Sequence, residues 1–177
     1  AFTLAIAIGA GAWWARAGSD AWPLPDTHDW RDVTHGAVSI RIPPSWQAAA
    51  SANPAVAVAW SSVEADRAIP PHVALTIEPG VHALDAFIEA GRGNARAAGG
   101  RELSLRDAHG VGADALWVEV RFDASAPPYR ETTIVTALDG VGYVVRCFSG
   151  RDDARDLATC RSVAASVRRA GSAAAAP

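Results

Sequence analysis

The stretch Gly36-Ala-Val-Ser-Ile-Arg-Ile-Pro-Pro-Ser-Trp46 decides the fold. Its first part alternates apolar and polar side chains, which predicts a strand over 37–42 with one apolar face. Proline has no backbone N–H and a fixed φ, so Pro43 and Pro44 stop this strand and bend the chain. We expect the bend to place Trp46 against the body of the domain.

Size and charge limit the class of protein. The chain has 177 residues, which is enough for one domain of roughly 130–150 residues with flanking segments. Its 16 basic and 19 acidic residues give a formal net charge of −3, and its longest basic run is the pair Arg168-Arg169. Because nucleic-acid binding depends on a basic surface, we expect no nucleic acid among the partners.

The N-terminal region predicts export. Residues 1–17 are mostly apolar or small and end in Ala-Arg-Ala, like the cleavage site of a signal peptide. A transmembrane segment without its front half would show the same pattern, and a buried helix is disfavoured because the segment has no polar face. Residues 18–35 are polar, so we predict a linker or arm, with Trp22 and Trp30 as docking points.

Periodicity predicts an α+β domain over 36–169. Apolar stripes at helical spacing predict two helices, over 83–98 and 151–169. Alternating patterns predict the strands at 37–42, 55–61, 72–78, 101–106, 114–123, 129–138 and 141–148. Asp139-Gly140 predicts a tight hairpin turn, and the alanine-rich residues 170–177 predict a disordered tail.

Cys147 and Cys160 are the two cysteines of the chain. An even number in an exported domain favours a disulfide, whereas in a cytosolic protein the pair would be two buried thiols. We predict the bridge, which would join the last helix to the last strand. It would stabilise the fold by roughly 3 kcal/mol in the chain-entropy model.

The sequence carries no recognisable catalytic or metal-binding motif. Gly110 to Ala115 fits the pattern G-x-G-x-x-A, but strands are predicted on both sides, so a hairpin turn is expected. Ser45 is interpreted as a turn residue, and Glu119 and Arg121 as members of ion pairs rather than of a polar groove. The histidines are scattered, at His28, His35, His72, His82 and His109. We therefore predict no catalytic residue, no metal ligand and no cofactor.

The order of elements resembles that of the PsbP/DcrB-like family over residues 36–169. In this family the opening strand typically ends in Pro-x-x-Trp, and Pro43, Pro44 and Trp46 match that motif as structural residues. The resemblance implies an antiparallel β-sheet flanked by helices, an α/β/α sandwich. Members are mostly non-enzymatic: photosystem II extrinsic subunits, periplasmic or lipid-anchored envelope proteins, extracellular portions of membrane proteins, and a nuclear import factor that binds Ran. Lipid anchoring is disfavoured here, because no cysteine precedes Cys147.

These observations predict a non-catalytic, exported domain that binds a protein or a small ligand at the cell envelope. It would be periplasmic, secreted or on the extracytoplasmic face of the membrane. The alternative is the extracellular sensor domain of a single-span membrane protein, and a hydrolase is a third hypothesis. Contact with the membrane is expected only through residues 1–17, if they are not cleaved.

Overall fold

The computed structural model describes residues 25–63, 68–108, 115–150 and 153–171. Within these residues the chain forms two antiparallel sheets and two helices, so the α+β class is confirmed. The predicted export segment at 1–17, the turn that begins at Gly110 and the end of the predicted tail lie outside the described residues.

A small sheet contains the strand that the opening stretch predicts. Its strands are β1 (Arg31–His35), β2 (Val38–Ile42) and β10 (Arg168–Arg169), and β2 lies in the middle. The chain turns from β1 into β2 at Gly36, which has a φ of 61°, a left-handed conformation that glycine adopts without strain.

Two of the predicted boundaries differ in this small sheet. Residues 31–35, predicted as part of an arm, form β1, because they pair along their whole length with β2. Residues 168–169, predicted as the end of the last helix, form β10 instead, and the Arg168 Nη2 atom lies 2.8 Å from Asp32 Oδ1 in β1. The opening strand therefore belongs to a second sheet and not to one continuous layer.

Seven strands form the main sheet. They are β3 (Gln47–Ala49), β4 (Val56–Ser61), β5 (His72–Pro79), β6 (Arg101–Asp107), β7 (Ala115–Phe122), β8 (Tyr129–Leu138) and β9 (Val141–Gly150). Their order across the sheet is β3-β4-β5-β9-β8-β7-β6, with every neighbouring pair antiparallel. The predicted turn between β8 and β9 is confirmed, since Asp139 and Gly140 have φ values of 52° and 77°, as a type I′ hairpin requires.

The two helices lie on opposite faces of the main sheet. Helix α1 (Leu84–Ala97) contacts Val135 and Val144, whereas α2 (Ala154–Ala165) packs on the face that carries Ile134 and Val145. Adjacent residues of a strand point to opposite faces, so the pairs 134/135 and 144/145 place the helices on two sides. The α/β/α sandwich is therefore confirmed.

The main core lies between the sheet, α2 and the small sheet. Strand β2 ends at Ile42. The turn that follows begins with Pro43 and Pro44, and in it the backbone N–H of Trp46 donates to the carbonyl of Pro43 at 3.1 Å. The Trp46 side chain is 3% exposed and belongs to this core. Burial of a side chain of this size makes a large contribution to stability.

Candidate functional site

A cleft of about 440 Å³ lies between α1 and the main sheet. Its floor is apolar and is formed by Val118 and Val120 of β7, Val135 of β8 and Val144 of β9. These valines alternate with residues that point into the main core, so the strand periodicity that builds the core also builds the floor. Concave, mostly apolar sites with a few polar groups are typical of small-molecule binding.

The cleft exists because the side chains that α1 turns towards the sheet change from large to small along the helix. Phe87 and Ile88 pack against the sheet near the start of the helix. Gly91 and Ala95 line the cleft in the next two turns, and a Cβ atom on Gly91 would meet no other atom within 4 Å. The second half of the helix therefore spans the valine floor without filling the space above it.

Charged side chains join α1 to the edge of the cleft. Arg92 donates to Glu102 of β6 through Nε at 2.7 Å and Nη2 at 3.1 Å. It also contacts Glu89 one turn earlier on the helix, at 3.2 Å. The bonds and charge of Glu102, followed by those of Glu89, raise the pKa of Arg92 above its ordinary value. This pairing ties the helix to the strand across the mouth of the cleft.

Polar groups lie among the apolar residues of the sheet face. Glu131 accepts a hydrogen bond from Thr133 at 2.7 Å and lies 3.4 Å from the Arg146 guanidinium. Thr76 is 9% exposed, and its hydroxyl is buried without a hydrogen-bond partner in the part of the chain that the structure describes. Because buried hydroxyls are usually paired, Thr76 offers an unused polar contact in the cleft lining.

Sequence reasoning did not predict this cleft. The apolar positions of the strands were predicted correctly. What the sequence does not show is that the small residues of α1 lie opposite valines from three strands.

The predicted ion-pair residues Glu119 and Arg121 lie on the other face of the sheet, under α2. Glu119 is 7% exposed and accepts two hydrogen bonds of 2.8 Å from Arg161 of α2. Arg121 pairs with Asp123, also at 2.8 Å. Both residues are therefore ion-paired, but with partners that the sequence alone did not identify.

The charge of Glu119 is maintained despite its burial. Burial acts to raise the pKa of its carboxyl group, while the hydrogen bonds and positive charge of Arg161 lower it. The indole N–H of Trp117, which donates to Glu119 at 3.2 Å, adds to the lowering. The net pKa lies below the ordinary value, so the carboxylate is ionised at neutral pH and connects α2 to the sheet.

The predicted disulfide between Cys147 and Cys160 is present, with 5.2 Å between the two Cα atoms. It joins β9 to α2, and both cysteines are buried, at 1% and 0% exposure. The bridge and the Glu119–Arg161 pair thus hold α2 on the sheet from two positions.

The described histidines do not form a site. His72 stacks on Phe148 with 4.5 Å between ring centroids, and His82 lies beside Gly140. His28 and His35 are exposed, and His109 lies outside the described residues. No group of three or more His, Cys, Asp or Glu side chains that could hold a metal ion occurs among the residues described. Ser45 is an exposed turn residue.

Comparison with known proteins identifies the fold. No family model matches the chain, and no curated protein matches it. Solved structures do match, over most of their own length. Separately, no helix within the described ranges is long and apolar enough to span a membrane.

Three of these structures are similar to the chain at low sequence identity. Cyanobacterial PsbP (CyanoP) from Synechocystis is 14% identical, with a TM-score of 0.55 over 78% of this chain and 91% of that one. LpqN of Mycobacterium tuberculosis, involved in cell envelope biogenesis, is 13% identical, with a TM-score of 0.56 over 80% and 90%. The Saccharomyces cerevisiae Ran-binding protein Mog1p is 11% identical, with a TM-score of 0.58 over 78% and 94%. The chain therefore has the PsbP-like fold.

Proposed function

We propose that the protein is a non-catalytic binding domain that takes up a small amphipathic molecule in the cleft between α1 and the main sheet. The observation that carries this proposal is the open space of about 440 Å³ between Gly91 and the valine floor. Burying an apolar group against such a floor is favourable by about 25 cal/mol per Å². The Thr76 hydroxyl and the Glu131–Arg146 pair supply polar contacts beside it.

The absence of a catalytic arrangement among the described residues supports a binding role. In the cleft the carboxylate of Glu131 is engaged by Thr133 and Arg146. Serine, cysteine and histidine are the side chains that most often serve in nucleophilic and general acid–base catalysis, and the described lining of the cleft contains none of them.

The place of action that we propose is the cell envelope, outside the cytoplasm. The disulfide supports it, because structural disulfides persist mainly in oxidising compartments. The apolar segment at 1–17 supports export as well. LpqN, which shares the fold, is described as involved in cell envelope biogenesis.

The test compares two glycines of α1 that differ in their position relative to the cleft but have the same intrinsic helix propensity. Gly91 lines the cleft and Gly93 does not, and neither glycine has an atom within 4 Å of an added Cβ. Gly91→Leu should fill part of the cleft and weaken binding of the fluorescent probe anilinonaphthalene sulfonate about tenfold or more. Gly93→Leu should bind the probe as the parent protein does.

Stability separates loss of binding from loss of folding in this test. Leucine is the better helix former, so both variants should gain about 0.5–1 kcal/mol of unfolding free energy. Equal probe binding by the parent and both variants would contradict the cleft as the binding site. Turnover of a substrate that is lost on replacing Glu131 would contradict the non-catalytic assignment.

A further inference from the structure

Strand β6 is an edge of the main sheet with two exposed leucines. In the described part of the chain it pairs with β7 alone. Leu103 is 38% exposed and Leu105 is 41% exposed. An edge strand has unpaired N–H and C=O groups, and exposed apolar side chains beside them favour pairing with another strand.

The sequence of β6 is complementary to itself when it is reversed. Its residues are Arg101-Glu102-Leu103-Ser104-Leu105-Arg106-Asp107. When two copies run antiparallel about Ser104, Arg101 lies opposite Asp107 and Glu102 lies opposite Arg106. The leucines lie opposite each other. Opposite charges and apolar pairs are the cross-strand combinations that stabilise a sheet.

Other registers lose this complementarity. A shift of one residue places either Arg101 opposite Arg106 or Glu102 opposite Asp107. A shift of two residues, in either direction, leaves no opposite charges facing each other. A parallel in-register pair places every charge opposite its own copy. The charge pattern therefore selects one antiparallel register.

Of the four charged side chains of β6, two are available to form ion pairs with a second copy. Glu102 already accepts hydrogen bonds from Arg92, and Arg106 lies over the Trp117 ring at 4.4 Å from its centroid. Arg101 and Asp107 form no ion pair with any residue in the described ranges and are exposed. These two residues at the ends of the strand therefore determine the pairing.

One feature of β6 opposes pairing. The register with β7 shifts between Glu102 and Ser104, so the strand carries a bulge at Leu103. Bulges twist an edge strand away from a neighbour. The contact must therefore depend on the matched charges and leucines, and it should be weak and sensitive to salt.

We propose that β6 is a homotypic docking edge, through which two copies of this chain pair antiparallel about Ser104. The dimer joins two main sheets across their edges. The interaction does not involve the valine floor of the cleft.

Sedimentation velocity over a range of protein concentrations tests this proposal. The parent protein should show a concentration-dependent dimer at low salt that weakens as salt is added. Arg101→Asp and Asp107→Arg should each weaken the dimer about tenfold or more, because each places like charges opposite one another. The double variant R101D/D107R restores opposite charges and should restore the dimer.

Arg155→Asp is the matched control, since it makes the same charge change at an exposed position of α2, away from β6. It should dimerise as the parent does. A parent protein that stays monomeric, or a double variant as monomeric as the single ones, would overturn the proposal. Arg101 lines the cleft but Asp107 does not, so probe binding is compared in Asp107→Arg, which should lose the dimer and bind the probe as the parent does. Failure of the dimer and failure of the cleft are therefore distinguishable.

Discussion

The Glu119 carboxylate shows how one buried charge is stabilised in this fold. Its burial alone would favour the neutral acid, but the two hydrogen bonds from Arg161 and the one from Trp117 favour the anion. Removing one partner of a buried pair leaves the other charge without compensation. We therefore expect the stability of the protein to depend on pH through Glu119.

Glu119→Gln should lower the unfolding free energy by about 2 kcal/mol at neutral pH, the scale of hydrogen bonds to a charged group. The folded-state pKa of Glu119 lies below the ordinary value of 4.5. Its ionised form therefore stabilises the fold above that pH, and this contribution is lost as the pH falls through the lowered pKa. Urea unfolding over a pH series measures the difference between the parent and the variant.

The exposed Glu78 provides the control for this prediction, because Glu78→Gln should change the unfolding free energy little at any pH. The difference between parent and Glu119→Gln should disappear in acid. A difference that grows towards low pH would show that the pKa of Glu119 is raised rather than lowered, and would refute this explanation.

At the scale of whole elements, helix α2 is shorter than the sequence predicts. The helix ends at Ala165, four residues before the end of the predicted range 151–169. Ser166 caps it and accepts a hydrogen bond from the Arg41 backbone N–H at 2.8 Å, so the chain turns towards β2 and continues as β10. Val163 and Val167 keep helical spacing on both sides of this turn, which explains why the sequence predicts a longer helix.

Replacing both cysteines, as C147A/C160A, should lower the unfolding free energy by about 3 kcal/mol, because the closed loop no longer restricts the unfolded chain. Guanidinium unfolding measures this loss. The parent protein treated with reductant under native conditions should keep its stability, since both sulfur-bearing side chains are buried. A double variant as stable as the parent would show that the bridge does not contribute to the stability of the fold.

The strands that could be predicted from the sequence are those long enough to show a regular alternation of side chains. In β7 every second residue from Leu116 to Phe122 is aliphatic or phenylalanine. The predicted range 114–123 agrees with the observed Ala115–Phe122. Strand β1 could not be predicted in this way, because its side chains are mostly exposed and its conformation depends on pairing with β2. Strand β3 has only three residues, too few to show a period.

At the scale of the whole molecule, the cleft depends on elements that are distant in the sequence. Gly91 comes from α1, and the valines of the floor come from three different strands. Local patterns identify a helix with glycines and strands with valines, but they do not show which face of the sheet the helix covers. The fold class and the disulfide could therefore be predicted from the sequence, whereas the cleft required the tertiary structure.

Methyl NMR during a titration with anilinonaphthalene sulfonate tests the binding cleft most directly, because valines lie on both faces of the sheet. Val118, Val120, Val135 and Val144 line the cleft, whereas Val73, Val145 and Val163 belong to the core on the α2 side. We predict saturable shifts of the methyl signals of the first four valines and little change in those of the other three. Shifts confined to the α2 side, or spread equally over both sets, would contradict the assignment of the cleft as the binding site.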